Sequence, residues 1–145
     1  MKRTLFAFFI TCCLLTACNS TKKTTASVPN VSQLEGTWEL NYITGPRIAF
    51  GGLYPYKKPS IRFDVANNRV NGNTSCNNFN GKLNVAGNKI SFTDPLAMTK
   101  MMCLDGNGEN VFLETLNKVD SWSVLNGNLL ILKMDDVTMM RFVKK

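Results

Sequence analysis

Cys76 and Cys103 are the only thiols in the body of the chain, beyond Cys12, Cys13 and Cys18 near its start. Three kinds of chemistry are open to them. In an oxidising compartment a structural disulfide is favoured, closing a loop of about 28 residues worth roughly 3.5 kcal/mol in the chain-entropy model. Free thiols and a redox centre stay open, although redox pairs are usually CxxC beside a helix start and this pair is not. The chain has no histidine. That excludes Ser-His-Asp and Cys-His catalysis and the usual zinc sets. No Gly-rich phosphate loop precedes a helix, and no GxSxG elbow exists. Asp135 and Asp136 are adjacent, and neighbours on a strand face opposite ways, so the pair reads as a turn. Glu39 and Asp64 would revive acid–base chemistry only by converging across strands. The residue types call for no metal and no cofactor, and the expected class is non-enzymatic.

Residues suited to binding are more numerous. Asn71, Asn73, Asn77, Asn78, Asn80, Asn84 and Asn88 crowd one stretch. Asparagine can present an amide to a sugar or peptide, but more often it serves turns and its own backbone, the reading preferred here. Met98, Met101 and Met102 form a soft cluster whose expected role is core filling, with an adaptable binding surface as the alternative. Phe50, Tyr54 and Tyr56 lie in a long loop and are binding candidates if it stands out from the body. The formal charge of +7 becomes +5 without Lys2 and Arg3. Much of that excess sits in Lys22, Lys23, Lys144 and Lys145, which do not form a nucleic-acid stripe. Nucleic acid is therefore not an expected partner.

The elements that must position these residues are mostly strands. Trp38, Leu40 and Tyr42 alternate, as do Ile61, Phe63 and Val65. Val70 follows Ala66-Asn67-Asn68, and Leu83 and Val85 lead through Ala86-Gly87-Asn88 to Ile90 and Phe92. Trp122 and Val124 turn at Asn126-Gly127 into Leu130 and Leu132, and Met139 or Met140 with Phe142 makes the last strand. Asn and Gly at the turns supply the positive φ that tight hairpins need. Glu109 to Val119 is the one good helix, with an apolar stripe of Phe112, Leu113, Leu116 and Val119 and a cap at Asp105 or Asn107. Thr44 to Pro59, with three Gly and three Pro, reads as loop. The expected fold class is mainly β with one helix (α+β). It is a small, antiparallel, partly closed β-barrel of about eight strands with the helix packed on one end.

The N-terminus reads as an address. Lys2 and Arg3 precede an apolar run from Leu5 to Leu15, the length of a secretory h-region and too short for a bilayer-spanning helix. Leu15-Thr16-Ala17-Cys18 is similar to the bacterial lipobox. The expected organisation is a signal peptide over 1–17, then lipidated Cys18 with a polar tether over 18–32, then a domain over 33–145. Multiple acyl chains would hold Cys18 to a membrane stably. Asn19 stands where Asp would suggest inner-membrane retention, and no acidic cluster follows, so the resemblance implies the outer membrane, facing the periplasm.

Two motifs carry a family resemblance. Asn73 to Gly81 (NTSCNNFNG) resembles the GCN-x-F-x-G signature of the META/HslJ family, with Asn77, Phe79 and Gly81 in place. Ala97 to Cys103 (AMTKMMC) resembles its second signature, A-x-T-x-M-x-C, through Ala97, Thr99 and Met101. A G-x-W-x-L strand (Gly36, Trp38, Leu40), a P-x-I-x-F strand (Pro59, Ile61, Phe63), a Glu-led helix and L-x-L (Leu130, Leu132) follow in family order. Ser75 departs from the pattern, which has Gly there. If that position has positive φ, Ser costs about 1 kcal/mol. The resemblance implies a small β domain with a helix in a lipoprotein family that includes a heat-inducible outer-membrane member linked to antibiotic tolerance. It also implies kinship of shape with secretin pilot lipoproteins. No catalytic reaction comes with it.

The function these observations favour is a non-enzymatic envelope lipoprotein, active in stress response or envelope maintenance by binding another envelope component. One alternative is a pilot or assembly factor for a secretion channel, holding an apolar peptide in an open barrel end lined by Met98, Met101 or Met102 and Phe112. The other is a periplasmic inhibitor of lysozyme or a protease, inserting the 48–59 loop.

Overall fold

The computed structural model describes residues 29–45, 49–103 and 107–145. The signal segment, Cys18, the first part of the tether and Asp105 lie outside the described residues.

A 3-10 turn, Val31–Leu34, is capped by the Asn30 side chain, which accepts from Ser32 N at 3.0 Å. Ten strands follow, in one antiparallel sheet. They are β1 (Gly36–Ile43), β2 (Ser60–Asp64), β3 (Arg69–Asn73), β4 (Asn78–Lys82), β5 (Asn84–Ala86), β6 (Lys89–Ser91), β7 (Ala97–Met98), β8 (Ser121–Leu125), β9 (Leu129–Met134) and β10 (Val137–Lys144). Two helices interrupt them, α1 (Phe50–Leu53) and α2 (Gly108–Leu116). The spatial order is β5-β6-β8-β9-β10-β1-β2-β3-β4-β7. The sheet curls into a half-barrel whose end strands do not pair, so the expected count of about eight strands is too low and the barrel is open.

The two strands beyond the expected eight are β4 and β7. Strand β4 (NFNGK) holds one buried apolar side chain, Phe79, and β7 is two residues long. Neither can show an alternating pattern. The asparagines expected in turns are mostly on strands as well: Asn71 and Asn73 on β3, Asn78 and Asn80 on β4, Asn84 on β5. Asn68 and Asn126 do take turn geometry, with φ of 50° and 52°.

Two bulges reset the side-chain phase. Leu40 pairs with Phe142 and Tyr42 with Arg141, which leaves Asn41 as an extra residue. Tyr42 therefore turns outward under the Arg141 guanidinium, and Ile43 takes the inward position instead. On β10 the pairs skip from Thr138 to Met140, so Met139 and Met140 are both buried. A bulge sets two residues against one and breaks strict alternation.

Trp38, Leu40, Ile61, Phe63, Val70, Phe79, Leu130, Leu132, Met140 and Phe142 form one core with Phe112 and Leu116 of α2. The helix thus lies against the concave side. Its buried face is Gly108, Phe112, Thr115 and Leu116. Leu113 is only half-buried, and Val119 is buried just past the helix end. Asn107 is the N-cap but makes no side-chain cap bond.

Gly72 sits where β2, β3 and β4 meet. A Cβ there would lie 2.1 Å from the Ser60 carbonyl oxygen and 2.6 Å from the Phe79 ring. Backbone cannot yield that far, and overpacking of this kind is costly. Gly72→Ala is expected to destabilise the domain by about 3 kcal/mol in urea unfolding, and an unchanged midpoint would refute this packing.

Candidate functional site

Both signature segments converge on one side chain. Asn77 is buried, at the turn that precedes β4. Its Oδ1 accepts from the Thr99 hydroxyl and from Met101 N, both at 2.8 Å. Its Nδ2 donates to Glu109 Oε1 at 3.1 Å and to the Met101 carbonyl at 3.3 Å. One amide therefore ties the β3–β4 turn to the 99–101 segment and to the first turn of α2. A buried amide left unpartnered costs roughly 1–3 kcal/mol, so this site favours one arrangement strongly.

Glu109 completes the cluster. Its Oε2 accepts from the Thr74 hydroxyl and, at 3.2 Å, from Asn77 N. The carboxylate also lies in the first turn of α2, where the helix dipole favours negative charge. Thr74 Oγ1 in turn accepts from Asn77 N at 3.0 Å. Sequence reasoning gave Glu109 only as the leading residue of a helix and gave Thr74 no role. Their partners are more than 30 residues away or depend on the turn's shape, and no local pattern encodes that.

Cys76 and Cys103 are joined by a disulfide, with Cα atoms 5.7 Å apart. Of the three states left open by the sequence, the structure selects the bridge. It runs beside Asn77, whose Nδ2 lies 3.5 Å from Cys103 Sγ. Cys76, Cys103 and Glu109 form a close group, but the bridged sulfurs offer no thiolate to a metal.

The other signature residues serve the same clamp. Phe79 packs against Phe112 with tilted rings and centroids 6.1 Å apart. A Cβ on Gly81 would meet Leu96 at 2.6 Å. Ala97 pairs with Asn80 and Met98 with Phe79. Thr99 N donates to the Asn78 carbonyl and Asn78 N donates to Thr99 Oγ1, both at 3.0 Å. Ser75 adopts φ +92°, the conformation that makes Gly the economical residue there.

The candidates outside the clamp do not come together. Tyr54 is 4% exposed and donates its hydroxyl to the Gly108 carbonyl at 3.1 Å, so it is a core residue holding α2. Phe50 packs edge-on against it at 5.2 Å. Only Tyr56, 82% exposed, faces solvent. Part of the loop is thus packed on the core around α1, through Leu53 and Tyr54, while residues 55–58 are exposed and 46–48 lie outside the described residues. The methionines expected to fill the core do not all do so: Met101 is 59% and Met102 92% exposed.

Glu39 and Asp64 do not converge. Glu39 pairs with Lys145 at 3.0 Å and Lys58 at 4.0 Å. It stands opposite Ser60, at the far end of β2 from Asp64, about 13 Å along the strand. The Asn67 amide donates to both Asp64 oxygens and holds that carboxyl below its usual range. A general acid needs the opposite shift. Asp135, with φ 54°, turns the β9–β10 hairpin.

An open concavity lies elsewhere. Strand β4 is next to one end of the sheet and β5 is the other end, yet Leu83 alone separates them in sequence. The chain therefore crosses the open seam at Leu83, whose N–H donates to the Asn68 carbonyl at 2.9 Å. Beside this crossing lies an open groove of about 870 Å³ with Leu83, Val85, Ile90 and Val119 among its lining residues and Lys82 and Lys118 at its margins. Asp120 also lines it. The Ser121 hydroxyl, the Asp135 amide and Lys89 keep its carboxyl below the usual range. Nothing in the sequence had marked these lysines out.

Two substitutions test the clamp. Asn77→Ala is expected to lower stability by about 3 kcal/mol with the disulfide intact, since it orphans Glu109 Oε1 and frees the Thr99–Met101 segment. Ser75→Gly is expected to raise it by about 1 kcal/mol through relief of the backbone. Urea unfolding reads both, and a neutral Asn77→Ala would deny the amide its role.

The chain matches the META domain family over residues 31–145. Its half-barrel is similar to three solved structures. One is an NMR structure at 20% identity and TM-score 0.55, covering 77% of this chain and 90% of the other. A second is an NMR structure of a protein from Burkholderia xenovorans, at 16% identity and 0.55, covering 79% and 86%. The third is a crystal structure of a DUF4847 family protein from Bacteroides vulgatus, at 15% and 0.54, covering 80% and 98%. At these identities the likeness is one of fold. No curated protein matches the chain. With the family match spanning the strands, the helix and both cysteine motifs, the chain belongs to the META domain family.

Proposed function

We propose that this protein is a non-enzymatic lipoprotein of the bacterial envelope that acts by binding another envelope component in the seam groove, in stress response or envelope maintenance. The observation that carries the reading is a division of labour. The signature residues Asn77, Phe79, Gly81 and Thr99 are consumed in holding the fold, while an open groove outside them has an apolar floor and, at its rim, Lys82 and Lys118, which form no ion pair among the described residues. Such a site fits a ligand with an apolar part and negative charge. The lipobox-like Leu15 to Cys18 supports a membrane tether at the outer membrane, facing the periplasm.

The two alternatives draw less support. An inhibitor loop would present Phe50, Tyr54 and Tyr56, but Tyr56 is the one of them that is exposed. A peptide groove lined by Phe112 is at odds with the burial of that ring in the core.

The test is cross-linking of the lipidated protein in its native envelope, beside a Cys18→Ala control and a Lys82→Glu/Lys118→Glu variant. The expected result is one partner or lipid captured by the parent protein, at least tenfold less by the charge-reversed variant, and an unchanged melting temperature. Equal capture by the variant would move the binding surface away from the groove.

A further inference from the structure

We propose that Met98, Met101 and Met102 form a thioether site for a soft monovalent metal ion, Cu(I) or its congener Ag(I). All three line one open cavity of about 520 Å³ between the 98–102 segment and α2. Methionine is ordinarily a core residue, and Met139 and Met140 are buried here. Met101 and Met102 are instead among the most exposed large apolar side chains of the described residues. Their three flexible torsions let the sulfurs of a short segment gather on one ion.

The donor set decides the metal. Each oxygen of Glu109, the one carboxylate lining the cavity among the described residues, is already bound to Asn77 or Thr74. The nearby cysteine sulfurs are joined to each other. Among the described side chains of the cavity, what remains for a cation is neutral sulfur, and thioether ligands select Cu(I) over hard or borderline divalent ions. The segment that carries them is held in place before any metal arrives. Met98 pairs with Phe79, Thr99 N bonds the Asn78 carbonyl, and Met101 N bonds Asn77. Lys100 also lines the cavity and opposes a cation, but it is exposed, so solvent screens its charge. Binding moves no electron and releases no proton, because a thioether has none to lose. It is therefore independent of pH where thiolate or imidazole sites weaken.

The experiment is an anaerobic titration of the oxidised protein with Cu(I) against a chromogenic Cu(I) chelator. Alongside it, the methionine methyl resonances are followed by NMR as Ag(I) is added. The expected result is one equivalent bound, with the methyl signals of Met98, Met101 and Met102 shifting and that of Met134 still. Affinity should change less than twofold between pH 7 and pH 5. Met98→Leu/Met101→Leu/Met102→Leu keeps volume and apolarity and should bind at least 100-fold more weakly with the same melting temperature. The methyl map of the parent protein keeps the test valid if that variant misfolds. No binding, shifts spread over all methionines, or a tenfold loss at pH 5 would each overturn the proposal.

Discussion

A buried amide must satisfy both its donors and its acceptor, and in this protein the satisfaction of Asn77 draws three remote segments together. Its acceptor is filled by the Thr99 hydroxyl and the Met101 amide, and its donors by Glu109 and the Met101 carbonyl. None of these partners lies on the β3–β4 turn that carries Asn77. The low local dielectric strengthens each bond and raises the penalty for losing it. The Cys76–Cys103 bridge closes the same junction covalently. Helix α2 is thereby fastened to the weakest part of the sheet, where β7 is two residues long and ends the row.

This arrangement explains why an open barrel can be stable. The end strands β5 and β7 are short, which limits exposed edge. The helix covers apolar surface that strand pairing would cover in a closed barrel, with Phe112 and Leu116 in the shared core. Tyr54 fixes the start of α2 from the other side through Gly108. The helix is held at its first turn by Glu109 and Gly108 and along its length by packing. The seam between β5 and β7 stays open, and Leu83 crosses between the two ends of the sheet. Asn77, Phe79, Gly81 and Thr99 of the family signature thus encode architecture, and the seam groove lies outside them.

Much of this was legible in the residues because it is local. Trp38 and Leu40 alternate inward as their spacing demands, Gly87 and Gly127 take the positive φ of hairpin turns, and the Phe112–Leu116 pair marks the helix face. The cysteines meet in the bridge, the state their residue count favoured over free thiols or a redox pair. What escaped was set by tertiary context. Strand β4 carries one inward apolar residue and is a strand only because β3 and β7 flank it. The bulges at Asn41 and Met139 shift the phase without any local mark. Tyr54 lies in a Gly- and Pro-rich stretch that reads as loop, and its burial depends on a helix 54 residues later. Lys82 and Lys118 become neighbours of one groove only when the seam forms.

The claim that Asn77 and Glu109 together lock the helix to the sheet is tested most directly by a double-mutant cycle. Asn77→Ala, Glu109→Ala and the double variant would be unfolded in urea with the disulfide intact. The account predicts a coupling energy of about 1–2 kcal/mol between the two positions, the range of residues in one buried network. Additive losses, with coupling near zero, would mean that each residue acts alone and that the clamp is not one unit.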